Sequence, residues 1–197
     1  CKHRAPSLTP EDIPESYRDV KGFYVSPVVG EVTPDFLKAL KRSDNVVMFD
    51  PQGVMRRVGR DGKIKVEVPE NLGEFIRHVD IVKLGRDEMM AFGKTPKELL
   101  GELRRMGSRV AIVTLGEKGA VVAYDSKTLS VRGLRVEAQD VTGAGDVFGG
   151  AFLARYLETK SLEDSIRFAN ISAGLKVRYK GPTGFPTEQE ILRSLGQ

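Results

Sequence analysis

The run Asp140-Val141-Thr142-Gly143-Ala144-Gly145-Asp146 brings together residue types that can hold a phosphate and move a proton. An apolar run with helical spacing follows it, Val147-Phe148 through Ala151-Phe152. Gly143 and Gly145 let the backbone approach a ligand closely. The first amides of a helix have no internal acceptor, so they can donate to phosphate oxygens at the positive end of the helix dipole. Asp146 falls in the first helical turn, where the dipole favours its ionised form and leaves it able to take a proton near neutral pH. The combination predicts phosphoryl transfer, with Asp146 as base for a substrate hydroxyl and Gly143, Ala144 and Gly145 as the anion hole. The plainer alternative is a helix start with an acidic first turn, which by itself does not call for Gly-Ala-Gly-Asp between a strand and a helix.

The elements that must position this turn alternate along the chain. Residues 1–19 form a polar, Pro-rich segment in which Thr9-Pro10-Glu11-Asp12 offers a helix start, and 20–197 form the nucleotide-binding and catalytic part. Strands are expected over Lys21 to Pro27, Asn45 to Asp50, Ile81 to Leu84 and Arg109 to Leu115, the second being an apolar run of the kind buried in parallel sheets. Helices are expected from Thr33-Pro34-Asp35 to Lys41, from Glu70 to His78, and from the capping box Thr95-Pro96-Lys97-Glu98 to Gly107. Ala120 to Tyr124 and Leu129 to Val136 read as an antiparallel pair about the turn Asp125-Ser126-Lys127. A capping box at Ser161-Leu162-Glu163-Asp164 opens a helix with Leu162, Ile166, Ala169, Ala173 and Val177 on one face, and Thr187 to Leu195 closes the chain. Strands alternating with helices predict one α/β domain with a mostly parallel sheet covered by helices on both faces.

The glycine-rich run resembles the second signature, Asp-x-Thr-Gly-Ala-Gly-Asp, of the ribokinase-like or PfkB family of carbohydrate and nucleoside kinases. Asp140, Thr142, Gly143, Ala144, Gly145 and Asp146 match it in register. The resemblance implies a ribokinase-like three-layer α/β/α fold and transfer of the ATP γ-phosphoryl group to a sugar, polyol or nucleoside with Mg²⁺. In it Asp146 is the base and Gly143 to Gly145 the anion hole. Asp140 and Thr142 match positions that bind a monovalent cation such as K⁺ in some members. Thr114-Leu115-Gly116-Glu117-Lys118-Gly119 resembles the loop beside the ATP phosphates and ribose, which makes Thr114, Gly116, Lys118 and Gly119 nucleotide-binding candidates. Asn170 matches a position near the adenine. On residue type alone, the loop is an ordinary strand exit and Asn170 a surface residue. Asp50-Pro51-Gln52 and Gly181-Pro182-Thr183-Gly184 resemble family turns after a central strand and after the adenine-side helix.

Two departures shape the expectation. Family members carry Asn-x-x-Glu near the phosphates; Glu88 fits the Glu as a Mg²⁺ candidate, but Gly85 stands at the Asn position and has no side chain to offer. The resemblance, over Lys21 to Leu195, corresponds to the last two-thirds of a member. The expected chain therefore lacks the N-terminal strands, most acceptor contacts and the lid. It would be a truncated kinase, a nucleotide-binding protein without efficient transfer, or one half of a split kinase with a complementing N-terminal polypeptide; a homodimer also fits.

Bulk properties narrow the field. At 197 residues and 40% hydrophobic content the chain can bury one substantial core, and a net charge of +4 spread along it does not indicate nucleic acid. No apolar run reaches the length of a membrane span, and no positively charged lead followed by an apolar run marks a secretion signal in these residues. The single cysteine, Cys1, suits a reducing compartment, and a start at Cys1 reads as a processed or truncated cytoplasmic protein rather than a lipid-anchored one. His3 and His78 are too few for a His-based metal centre. There is no Gly-x-x-x-x-Gly-Lys-Ser/Thr, and Phe148 stands where a dinucleotide fingerprint wants Gly or Ala.

Overall fold

The computed structural model describes residues 4–181 and 183–196, so Cys1, His3 and Pro182 lie outside the described residues. Its strands run in the order β1 (Gly22–Val25), β2 (Val46–Phe49), β5 (Ile81–Leu84), β6 (Val110–Thr114), β7 (Ala120–Tyr124) and β8 (Lys127–Val131) across one sheet, with β3 (Arg56–Val58) and β4 (Ile64–Val66) as a separate pair. The helices are α1 (Pro34–Leu40), α2 (Gln52–Met55), α3 (Leu72–Ile76), α4 (Arg86–Phe92), α5 (Pro96–Arg105), α6 (Ala144–Thr159), α7 (Leu162–Lys176) and α8 (Glu188–Leu195). The chain divides into two compact units, one of Cys1–Val113 with Val122–Thr128, the other of Thr114–Val121 with Leu129–Gln197.

In the first unit, β1, β2, β5 and β6 pair in parallel, with Gly22 opposite Val46, Met48 opposite Ile81 and Ile81 opposite Val110. β5 is buried at all four positions, as expected for a strand covered on both faces. Thr33 and Thr95 start their helices as the sequence predicts, their hydroxyls accepting from the amides of Phe36 and Glu98. Phe36, Leu37 and Leu40 of α1 pack with Val47, Phe49 and Phe75, whose ring stacks on Phe49 at 6.0 Å. Thr9 to Asp12 makes only a single 3₁₀ turn, and α3 is shorter than the predicted helix. The antiparallel β3–β4 hairpin and α4 have no counterpart in the sequence reading.

In the second unit, α6 and α7 pack along each other, and Phe168 and Leu175 of α7 meet Ile191 of α8 with Leu134 and Ala151 against them. Ser161 caps α7 by accepting from Asp164 N, but Asp164 binds Arg155 at 2.6 Å instead of closing a capping box. β8 ends at Val131, five residues before the predicted end. Beyond it the carbonyl of Arg132 accepts from the Asn170 side chain, and Gly133 lies so near the backbone of Glu117 that a Cβ there would meet Glu117 O at 2.1 Å.

Candidate active site

The turn that opens α6 has the conformation that its glycines permit. Gly143 is the N-cap residue at φ 78°, and Ala144, Gly145 and Asp146 fill the first helical turn. The amide of Ala144 donates to the carbonyl of Val141 at 3.2 Å, so this member of the expected anion hole closes the turn. Gly145, exposed at the second helical position, lies where the helix supplies no acceptor four residues back. Asp146 is exposed in the same first turn, as a base for an incoming hydroxyl must be.

Asp140 anchors this turn. Its Oδ1 accepts from Thr142 N at 2.9 Å and its Oδ2 from Gly181 N at 2.9 Å. Hydrogen bonding from the Thr142 side chain, then from the amides of Thr142 and Gly181, lowers its pKa to about 2, with the charge of Lys176 adding to the effect. Lys176, at the end of α7, is fully buried and donates from Nζ to Gly181 O at 2.8 Å. Sequence reasoning passed over it, although it lies on the same helical face as Ala169 and Ala173, where a charge is out of place. A K⁺ of the kind the family resemblance implies would have to share oxygens that already accept hydrogen bonds. Both oxygens of Asp140 accept backbone amides, and the Gly181 carbonyl accepts an ammonium.

The loop Thr114 to Gly119 lies in the same unit. Thr114 ends β6, half-buried, while Gly116 and Lys118 are exposed. Gly119 is buried at φ 94°, and a Cβ there would come within 1.9 Å of Val131 O; one on Gly133 would come within 2.1 Å of Glu117 O. These two glycines allow two backbone segments to touch, which gives Gly119 a steric reason to be glycine apart from any nucleotide. Asn170 is buried, and its Nδ2 donates to Arg132 O at 2.5 Å, so it ties α7 to the second of those segments.

Glu88 belongs to the first unit and is buried at the start of α4, where its Oε2 accepts from Gly85 N at 3.0 Å. Burial raises its pKa, and the charge of Asp50 pushes in the same direction. Close by, Lys83 in β5 pairs with Asp50 at 2.5 Å, both side chains being almost completely buried. Among the described residues no three His, Cys, Asp or Glu side chains are placed to share a metal ion. Mg²⁺ bound with a nucleotide takes one or two protein carboxylates beside phosphates and water, and Glu88 is a buried carboxylate that would supply one. A cleft of about 350 Å³ in this unit is lined by Leu8, Phe23, Val32 and Phe36 among others, and contains none of the predicted site residues. No helix among the described residues is long and apolar enough to cross a membrane.

The chain is 32% identical over 145 residues to an ATP-dependent 6-phosphofructokinase of Thermoanaerobacterium thermosaccharolyticum, covering 72% of this chain and 43% of that protein. It is 30% identical over 160 residues to a cytidine kinase of Thermococcus kodakarensis, covering 79% and 54%. The chain thus spans about half the length of these curated relatives. The crystal structure of a ribokinase from Thermotoga maritima superposes with a TM-score of 0.78 at 24% identity, over 98% of this chain and 62% of that one, which identifies the fold as the ribokinase α/β/α arrangement with a mostly parallel sheet. With residues 24–189 matching the model for pfkB family carbohydrate kinases, this chain belongs to the pfkB family.

Proposed function

We propose that this chain carries the phosphoryl-transfer machinery of a kinase that moves the γ-phosphoryl group of ATP to a hydroxyl of a sugar, polyol or nucleoside. The observation that carries the reading is the first turn of α6, where Gly143 at φ 78° opens a helix start that holds Gly145 and the exposed carboxylate of Asp146 side by side. Asp146 takes the proton of the acceptor hydroxyl at its carboxylate, and the helix start favours the charge that develops on the transferred group. Thr114, Gly116 and Lys118 border the donor, and Asn170 with Gly119 fixes the shape of that border. Mg²⁺, when bound with the nucleotide, neutralises phosphate charge, and Glu88 is the residue that would hold it. The names of the relatives, a phosphofructokinase and a cytidine kinase, support acceptors that carry a free hydroxyl on a sugar or nucleoside. A cytoplasmic setting, where ATP is supplied, accords with the reading.

A coupled assay of ADP release over sugars, polyols and nucleosides tests it, run on the 197-residue chain and on the chain joined to the N-terminal segment of a relative. The active form is expected to lose turnover by roughly 10²- to 10⁴-fold on Asp146→Asn, with ATP affinity little changed. Retained turnover in that variant would remove Asp146 from the role of base. Brisk acceptor-dependent release by the chain alone would show that these residues suffice for acceptor binding as well.

A further inference from the structure

Lys176 presents a buried charge for which the reading above has no use. It is fully removed from solvent at the end of a helix that is otherwise lined there by Ala, Ser and Leu, and desolvating an ammonium costs several kcal/mol before any partner is counted. Its hydrogen bond leads, through Gly181, to the turn before α6. Nζ donates to Gly181 O at 2.8 Å; the amide of the same Gly181 donates to Asp140 Oδ2 at 2.9 Å; Asp140 Oδ1 accepts from Thr142 N at 2.9 Å. The stem passes the turn as well, its Cε standing 3.9 Å from the point that a Cβ on Gly143 would occupy. One residue on, Val177 O accepts from the amides of Gln139 and Asp140 at 2.8 and 3.1 Å. The segment leading into the anion hole is therefore clamped to the carbonyl end of α7, where the helix dipole favours a positive charge. The ring of Phe185 lies 5.8 Å from Nζ and adds a cation–π contact.

We propose that Lys176 is the positioning residue of the anion-hole turn: its tethered ammonium supplies the positive charge that binds Gly181 and Asp140 together, so the turn holds its shape without a monovalent cation. A bare cation would have to share oxygens that already accept the amides of Thr142 and Gly181 and the ammonium, and it would meet the positive charge of Lys176 beside them. The catalytic consequence rests on the kinase reading; the tether does not.

The test begins without nucleotide. Thermal unfolding of the wild type, Lys176→Met and Lys176→Arg is measured in potassium chloride and in choline chloride of equal ionic strength. The wild type and the Arg variant are expected to melt alike in both salts. The Met variant is expected to melt lower in choline and to recover partly in potassium. A wild type stabilised by K⁺ over choline overturns the proposal whatever the variants do, as does a folded Met variant indifferent to K⁺. If the Met variant does not fold, the other two proteins decide, since a K⁺ response in either overturns it. Binding of a non-hydrolysable ATP analogue is then measured, with the Met variant expected to be roughly tenfold weaker and partly rescued by K⁺. A wild type that shows the expected salt pattern but binds no analogue sinks the kinase reading and leaves the tether standing.

Discussion

Among the described residues each compact unit buries one lysine, and the two are treated differently. Lys83, in the middle of β5, meets a carboxylate directly, with its Nζ 2.5 Å from Asp50 and both side chains out of water. Asp50 is held further by the amide of Gln52 at 3.2 Å, while the hydroxyl of Tyr24 at 3.5 Å adds little. Lys176 meets a carbonyl instead and reaches its carboxylate only through Gly181. The first arrangement neutralises a charge inside a sheet and settles how the ends of β2 and β5 meet. The second spreads a charge over a turn, a helix end and a carboxylate that also accepts from Thr142 N in the turn before α6. An ammonium kept buried with so indirect a counter-charge is tied to the turn it orders, and removing it leaves the Gly181 carbonyl and the Asp140 carboxylate without their cation.

The largest effect that would separate the two is on folding. Lys83→Met leaves the Asp50 carboxylate buried without its cation and is expected to destabilise the protein by about 3–5 kcal/mol, measured by urea unfolding. Asp50→Leu combined with Lys83→Met removes both charges and should recover most of that loss, giving a large coupling in the double-mutant cycle. Were the single substitution nearly neutral, Lys83 would not be the structural member of the comparison, and the contrast drawn with Lys176 would fail.

A smaller effect concerns acid. The folded pKa of Asp140, about 2, lies below its ordinary value of 3.8, so its contribution to stability is complete above about pH 4 and is lost as pH falls through 2. Asp140→Asn should therefore be less stable than the wild type by a constant margin at neutral pH, and the margin should shrink between pH 4 and pH 2. Unfolding curves across that range check it. A margin that persists unchanged at the acid end would mean that the Asp140 charge is not what holds Thr142 and Gly181.

These particulars show what could be read from residues alone. The caps at Thr33 and Thr95, the strands β2 and β5, and the helix start after Gly143 follow from short-range chemistry, and the structure places them where the spacing predicts, although the strand expected just before that helix stops at Val131. The β3–β4 hairpin was illegible because its strands are three residues long, and the charges of Arg56, Arg57, Lys63 and Lys65 mask the alternation. α4 escaped notice because its N-cap residue is Gly85, which offers no side-chain oxygen; the cap is completed from the other end by Glu88. Just beyond the end of β8, Arg132 meets Asn170, 38 positions away, a contact that no local pattern encodes. Lys83 and Lys176 did leave a signal, each being a charge inside an apolar period, but only the fold reveals which oxygen each one meets.

Glu88 gives the finest test, because it borders the Lys83–Asp50 pair and is also the Mg²⁺ candidate. Burial first, and the Asp50 charge after it, raise its pKa above 4.5 against the lowering effects of backbone hydrogen bonds and Lys83. A raised carboxylate pKa means that the folded state prefers the protonated form: the stabilisation is present below the unfolded pKa and is lost as pH rises through the folded one. Glu88→Gln keeps an acceptor for Gly85 N and carries no charge to desolvate. At neutral pH it should unfold at slightly higher denaturant than the wild type, and the gain should vanish below about pH 4.5. A carboxylate kept charged there at the expense of stability is expected where an ion must be met, so the same variant should lose turnover while gaining stability. If Glu88→Gln gains stability and keeps full turnover, Glu88 is only the cap of α4, and the phosphate-bound Mg²⁺ must be met by another residue.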